Sequence, residues 1–296
     1  MEIKPVSRLV LGGASLGKLR TRDAEILLST AKDVGITRID TAPGYEESEN
    51  TIGNILNGKD TFTVNTKVGL PGSSDFNPHE IARSVDESLR KLRVESIGTL
   101  FVHSLSKEIL TDENIEAMVK LKVLGKVQKI GYSGDGEDLK GAVTKSLFDD
   151  FMLTYNIIDQ SNSQAIVNIQ NSKNIYLKVS MAQAIWTSHQ LRNRLSSIRS
   201  VRKLFQKAPL PESWIDYKMR FSKFKPSILS RRYSEEFLRF ALDSNGGKQF
   251  VVLGTNSPQH ILDAALISNS ESNLAGLEHY LSLWHKLSSS NWLPHN

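Results

Sequence analysis

The sequence predicts an α/β fold, a closed (β/α)8 barrel of the TIM-barrel class, and three observations carry that expectation. Eight short β-branched or apolar runs alternate with amphipathic stretches along the whole chain. Alternation of this kind implies a parallel sheet, because a helix fills each crossover. An open doubly wound sheet usually has about five to seven strands and a glycine fingerprint at its first turn, and neither feature is present.

The strand-like runs are RLVLGG (8–13), ITRIDT (36–41), FTVNTKV (62–68), IGTLFVH (97–103), KVQKIGYS (126–133), FMLTYNI (151–157), IYLKVSM (175–181) and QFVVLGT (249–255). Helical patterns with apolar residues recurring at three and four fall near 22–34, 48–57, 78–92, 112–124, 137–147, 162–172, 233–244 and 258–268. Asn77-Pro78, Thr111-Asp112 and Ser257-Pro258 offer caps for three of them. A further helix, LAGLEHYLSLWHKL (274–287), is expected to pack on the outside. The one long interruption, residues 187–230, falls between the seventh strand and its helix, and Leu191, Leu195, Ile198 and Phe205 within it recur at roughly helical spacing. The chain therefore reads as one barrel domain over 1–296 with an insertion inside it.

Of the 296 residues, 39% are hydrophobic, enough for a sizeable core. There is no long apolar run and the amino terminus lacks a signal-peptide pattern, so a soluble, cytoplasmic protein without a membrane contact is expected. The absence of cysteine excludes disulfides, thiolate catalysis and cysteine-ligated zinc, and the seven histidines form no HExxH pattern, so no metal site is expected. The net charge of +5 is concentrated: residues 187–230 hold ten Lys/Arg against Glu212 and Asp216. The basicity belongs to the insertion, which argues against a nucleic-acid partner for the whole surface.

In a barrel of this class the active site lies at the carboxyl ends of the strands. Asp40 ends the second run, Lys67 the third and His103 the fourth, while Tyr45 follows Asp40 in the turn. An ammonium beside a phenol favours its ionised form, and a carboxylate keeps that ammonium charged and placed. Such a tyrosine can give a proton to a carbonyl oxygen that a histidine orients by a hydrogen bond. None of the four can supply hydride, so the same site would need a nicotinamide.

These residues carry a resemblance to the aldo-keto reductase family. IDTAPGYEESENTIG is similar to the family's DTAxxYGxSExxLG, with Asp40, Tyr45, Ser48, Glu49 and Gly53 in place. VNTKVG resembles its strand-three lysine motif, LFVHS its strand-four histidine, VLGKVQKIGYS the stretch before its strand five, and VVLGTNSPQHILDA its cofactor-phosphate segment. The resemblance implies a barrel that reduces an aldehyde or ketone with NADPH, or with NADH as the alternative. It makes Asp40, Tyr45, Lys67 and His103 the catalytic tetrad, and Ser133, Gly254, Thr255, Asn256 and Ser257 the cofactor contacts, with the arginines of the insertion as weaker ones. The departures are Glu46 for a glycine, Gly134 for the asparagine that holds the nicotinamide carboxamide, Met152 for a glutamine, Asn256 for a basic residue and Ala264 for an asparagine that contacts adenine.

Two rival functions stand beside this one. GGASLGKL (12–19) nearly spells a phosphate-binding P-loop but has Leu19 where a hydroxyl is needed. The eroded contacts motivate a non-catalytic barrel, a scaffold or a dinucleotide-sensing subunit. The complete tetrad opposes that reading, because a scaffold has no physical need for a buried lysine-carboxylate pair at the rim. The substrate is expected to be a small carbonyl compound, anionic or sugar-like.

Overall fold

The computed structural model describes residues 8–59, 61–69, 76–104, 107–169, 173–184 and 212–288. Eight parallel strands close in sequence order into a barrel. They are β1 (Leu9–Gly12), β2 (Arg38–Asp40), β3 (Thr63–Val68), β4 (Ile97–His103), β5 (Val127–Ser133), β6 (Asp150–Thr154), β7 (Asn174–Lys178) and β8 (Phe250–Gly254). β8 returns to β1 with Leu9 opposite Val251 and Gly12 opposite Gly254, which removes both sheet edges.

Around the strands lie α1 (Thr21–Asp33), α2 (Ser48–Leu56), α3 (Pro78–Leu92), α4 (Asp112–Val123), α5 (Gly136–Val143), α6 (Ser163–Asn168), α7 (Glu212–Phe224), α8 (Tyr233–Asp243), α9 (Pro258–Ser268) and α10 (Leu274–Ser288). The expected barrel is therefore the fold observed. In α3 the apolar stripe Ile81, Val85 and Leu92 is buried, and the Asn77 side chain accepts the Glu80 N–H at 3.1 Å. Thr111 caps α4 in the same way at 3.3 Å from the Asn114 nitrogen. Ser257 makes no such side-chain bond at the start of α9; its own N–H goes to Thr255 Oγ1 instead.

Two helices stop short of the pattern. α5 ends at Val143, where Thr144 turns its hydroxyl back onto the Gly141 carbonyl and Phe148 drops into the core. α6 ends at Asn168, because Ile169 takes extended backbone and is buried.

The outer helix α10 is present, anchored by buried Tyr280 and Trp284. Tyr280 donates to Glu236 of α8 at 2.8 Å and sets its ring edge-on to Phe240. From the interruption at 187–230 the structure describes α7 and the turn after it, and Leu191, Leu195, Ile198 and Phe205 lie outside the described residues. α7 docks on the loop after β6, where Tyr217 donates to Asp159 at 2.9 Å and Arg220 pairs with Asp216 at 2.8 Å and Asp159 at 3.2 Å.

Alternate residues of each strand face the lumen. Val10, Phe101, Met152 and Tyr176 form an apolar plug across it, with Tyr176 stacked on Phe250 at 4.8 Å. Below the plug, buried Asp150 accepts from Thr99 at 2.6 Å and Asn174 at 2.7 Å. One strand pair above the plug, the same periodicity delivers Gly12, Lys67, His103, Ser133, Lys178 and Gly254 to a cavity of about 550 Å³.

Candidate active site

The loop that holds Tyr45 is fixed by its neighbours. Ser48, the first residue of α2, donates to the Gly13 carbonyl at 2.8 Å and meets Thr41 Oγ1 at 2.8 Å. Glu49 accepts from Thr66 Oγ1 at 2.7 Å and is buried. Gly53 lets α2 touch α3: a Cβ there would fall inside the Lys91 carbonyl and 2.8 Å from Leu92 C. Gly17 serves the same loop, since its Cβ would lie 2.6 Å from the Ser48 nitrogen and 2.9 Å from the Tyr45 carbonyl. The run GGASLGKL is thus a 3-10 turn, Gly13–Lys18, that buttresses Tyr45, and Lys18 pairs with Glu46 at 3.2 Å. Glu46 holds φ at 50°, a left-handed conformation that costs a residue with a Cβ about 1 kcal/mol.

The four expected catalytic residues meet in the cavity. Lys67 Nζ donates to Asp40 Oδ2 at 2.7 Å and to the Thr41 carbonyl at 2.7 Å, and both side chains of the pair are buried. The same nitrogen lies over the Tyr45 ring, 4.8 Å from its centroid. Tyr45 stands edge-on to His103 at 6.2 Å between centroids. Burial pushes the Asp40 carboxyl up, and the Lys67 ammonium opposes that rise. Burial, with Lys67 and Lys178 nearby, takes the His103 imidazole down to about 4, so it is neutral near pH 7. Asp40 Oδ1 and His103 Nδ1 are buried with no hydrogen-bond partner among the described residues.

The remaining expected contacts flank this cluster. Ser133 and Gly254 line the cavity. A smaller cavity of about 250 Å³, shaped in part by Gly254, Thr255, His260 and Asp263, leads to the start of α9. Gly254, Met181 and Ala184 belong to both, so the two form one groove. A Cβ on Gly254 would meet nothing within 4 Å, which leaves the groove open at its waist. An elongated molecule with a reactive ring at the tetrad and phosphates near the α9 amino terminus fits this shape, and a nicotinamide dinucleotide is such a molecule. Asn256 is exposed and Ser257 half-buried at the far end.

Two of the departures have structural surroundings that account for them. A side chain at Gly134 would collide with Tyr132, whose Cε1 lies 2.5 Å from the Cβ position. Met152 belongs to the apolar plug. Of the basic insertion, Arg220 is taken up by two carboxylates, Asp159 and Asp216; Arg192, Arg194, Arg199 and Arg202 lie outside the described residues. Two charged cavity residues went unremarked in the sequence, Asp135 and Lys178, which pair at 3.0 Å. Lys178 sits at a strand end, two residues beyond inward-facing Tyr176, and that spacing was the available signal.

No helix among the described residues is long and apolar enough to cross a membrane. A solved aldo-keto reductase from Bacillus halodurans, in its holo form, superposes with a TM-score of 0.74 over 93% of this chain and 91% of that one at 21% identity. A Klebsiella pneumoniae aldo/keto reductase in complex with NADP and acetate gives 0.66 over 94% and 91% at 18% identity. Among curated proteins, D-arabinose 1-dehydrogenase of Saccharomyces cerevisiae is 31% identical over 149 residues, 45% of this chain and 44% of that protein. The matched stretch spans less than half the length of this relative and of two further curated ones. The sequence profile of the aldo/keto reductase family matches residues 8–269, nearly the whole barrel, and the chain belongs to that family.

Proposed function

We propose that this protein is an oxidoreductase that interconverts an aldehyde or ketone and its alcohol with NADP(H), Tyr45 acting as general acid. The buried Lys67–Asp40 pair beneath the Tyr45 ring, beside a neutral His103, carries the reading. An ion pair withdrawn from water at a cavity mouth is costly as scaffolding and useful as fixed charge. Tyr45 gives its proton to the carbonyl oxygen as that oxygen gains charge, and Lys67, held by Asp40 and Thr41, steadies the phenol oxygen left behind. His103, a neutral imidazole, donates one N–H to the same carbonyl oxygen without taking up a proton. A bound reduced nicotinamide supplies the hydride. Ser133 and the Gly254–Ser257 stretch are its proposed contacts, NADPH its proposed form and NADH the alternative; the Klebsiella pneumoniae neighbour's complex with NADP supports that choice.

The yeast relative named for D-arabinose oxidation supports a small sugar-like substrate. A second reading, a dinucleotide-sensing barrel without turnover, draws on Tyr132 filling the space beside Gly134. Fluorescence titration of the protein with NADPH and with NADH, followed by carbonyl-dependent oxidation of the bound form, separates the two. Saturable binding with carbonyl-dependent oxidation is the expected result. Binding without reduction of any carbonyl supports the sensor, and no binding of either nucleotide overturns both.

A further inference from the structure

The proposed chemistry leaves the basic stretch around α7 without a role. Residues 217–234 (YKMRFSKFKPSILSRRYS) carry six Lys/Arg and no Asp or Glu. The fold sorts the six onto two sides. On the inner side Tyr217, Arg220, Phe221 and Phe224 are buried, and Arg220 is neutralised by Asp159 and Asp216. On the outer side Lys218, Lys223, Lys225, Arg231 and Arg232 are exposed, and Arg232 shares Glu235, at 3.6 Å, with Arg239. Met219 and Leu229 interleave with these cations along the chain and are 52% and 57% exposed. The face is held in place from beneath. The Leu229 N–H donates to Tyr280 Oη at 3.0 Å, His279 Nε2 meets the Ser227 carbonyl at 2.8 Å, and Phe221 of α7 sets its ring edge-on to Tyr233 of α8 at 5.2 Å. The outer side of α7, the turn after it and the start of α8 therefore form one continuous basic surface with aliphatic side chains in it.

We infer that this face docks on the surface of an anionic phospholipid bilayer, its lysines and arginines against the headgroups and Met219 and Leu229 in the layer just below them. Docking of this kind is independent of the carbonyl-reducing reading, and it departs from the expectation of no membrane contact. It needs no crossing helix. Charge decides the sign of the partner, because a surface whose local sequence has cations and no carboxylate attracts a polyanion. Side-chain type decides which polyanion. Single-stranded nucleic acid is held by bases stacked on aromatic rings, and here Tyr217, Phe221 and Phe224 turn theirs into the core. A nucleic-acid duplex would meet the cations with its phosphates and leave Met219 and Leu229 against charge. A bilayer interface takes both kinds of side chain, cations at the anionic headgroups and aliphatic groups at the acyl boundary. Each cation near such a surface strengthens binding about fivefold, so several acting together hold a folded protein that two would not.

The test is flotation of the full chain with vesicles of phosphatidylcholine alone and with vesicles that also hold about 30% phosphatidylserine, at about 0.1 M salt. The wild type should float with the phosphatidylserine vesicles and stay behind with phosphatidylcholine alone. The triple variant Lys223→Gln, Lys225→Gln, Arg231→Gln should partition roughly 100-fold more weakly, and the double variant Met219→Ser, Leu229→Ser roughly three- to tenfold more weakly. Urea denaturation shows that both variants fold, as substitutions at exposed positions should. No binding to the phosphatidylserine vesicles, or equal binding to both lipids, overturns the inference. Wild-type binding by the triple variant also overturns it, since the attraction would then come from elsewhere in the chain. A competition arm adds oligouridine RNA or a DNA duplex to the vesicle-bound protein at equal phosphate charge. Retention on the vesicles supports the lipid surface, whereas release by either competitor gives the face to nucleic acid and overturns it.

Discussion

Lys67 and Asp40 meet at 2.7 Å in a place where their side chains are 2% and 5% exposed, and the lysine turns its remaining reach to the Thr41 carbonyl and the Tyr45 ring. Removing one partner leaves the other charged, buried and uncompensated. Lys67→Met should therefore destabilise the fold by about 3 kcal/mol, more than any change at an exposed pair. Urea denaturation checks this, and a loss of under about 1 kcal/mol would mean that water reaches Asp40.

His103 sets a pH dependence. Its imidazole takes up a proton near 6.5 when free and near 4 in the fold. Between those values the unfolded chain binds the proton and the native one does not, so this contribution to stability is full above pH 6.5 and lost as the pH falls toward 4. The urea midpoint should drop between pH 7 and pH 5, and His103→Gln should flatten that drop. An equal drop in the variant would show that His103 is not the group responsible.

Glu46 occupies left-handed backbone where only an exposed pair with Lys18 compensates it. Exposed pairs contribute little. Glu46→Gly is expected to raise stability by roughly 0.5 to 1 kcal/mol, visible as a small rise in Tm, because glycine takes this φ without strain.

Gly53 has no such latitude. Its position against Lys91 and Leu92 is backbone on backbone, so neither helix can yield by a rotamer change. Gly53→Ala should cost several kcal/mol, on the order of 3 or more, and lower the yield of soluble protein. A variant with wild-type stability would require α2 and α3 to separate more readily than the packing suggests.

The barrel was legible because strand and helix periods alternate from Leu9 to Ser268, broken at length only by the interruption at 187–230. Asp40, Lys67 and His103 were legible for a related reason. Each is the inward-facing residue at or near the end of its strand, so topology alone gathers them. Tyr45 needed the motif around it, since the loop that places it is held by Ser48, Glu49 and Gly17, contacts that no periodicity reveals. Ser257 was read as a cap from residue type, but the bond is made by Thr255, two residues earlier. Lys178 was passed over because the run IYLKVSM continues past it, which hid the strand end. Asp135 lies in a turn, and its four donors come from β6, β7 and the loop before α6, an arrangement visible only in three dimensions.

The most direct test of the central claim is the turnover of Tyr45→Phe. Phenylalanine keeps the ring over Lys67 and removes only the proton donor, so nucleotide binding should persist. The carbonyl-dependent oxidation of NADPH, present in the wild type, should fall by about 100-fold or more. Turnover undiminished in the variant, or absent from the wild type across aldehydes and ketones, would contradict the account.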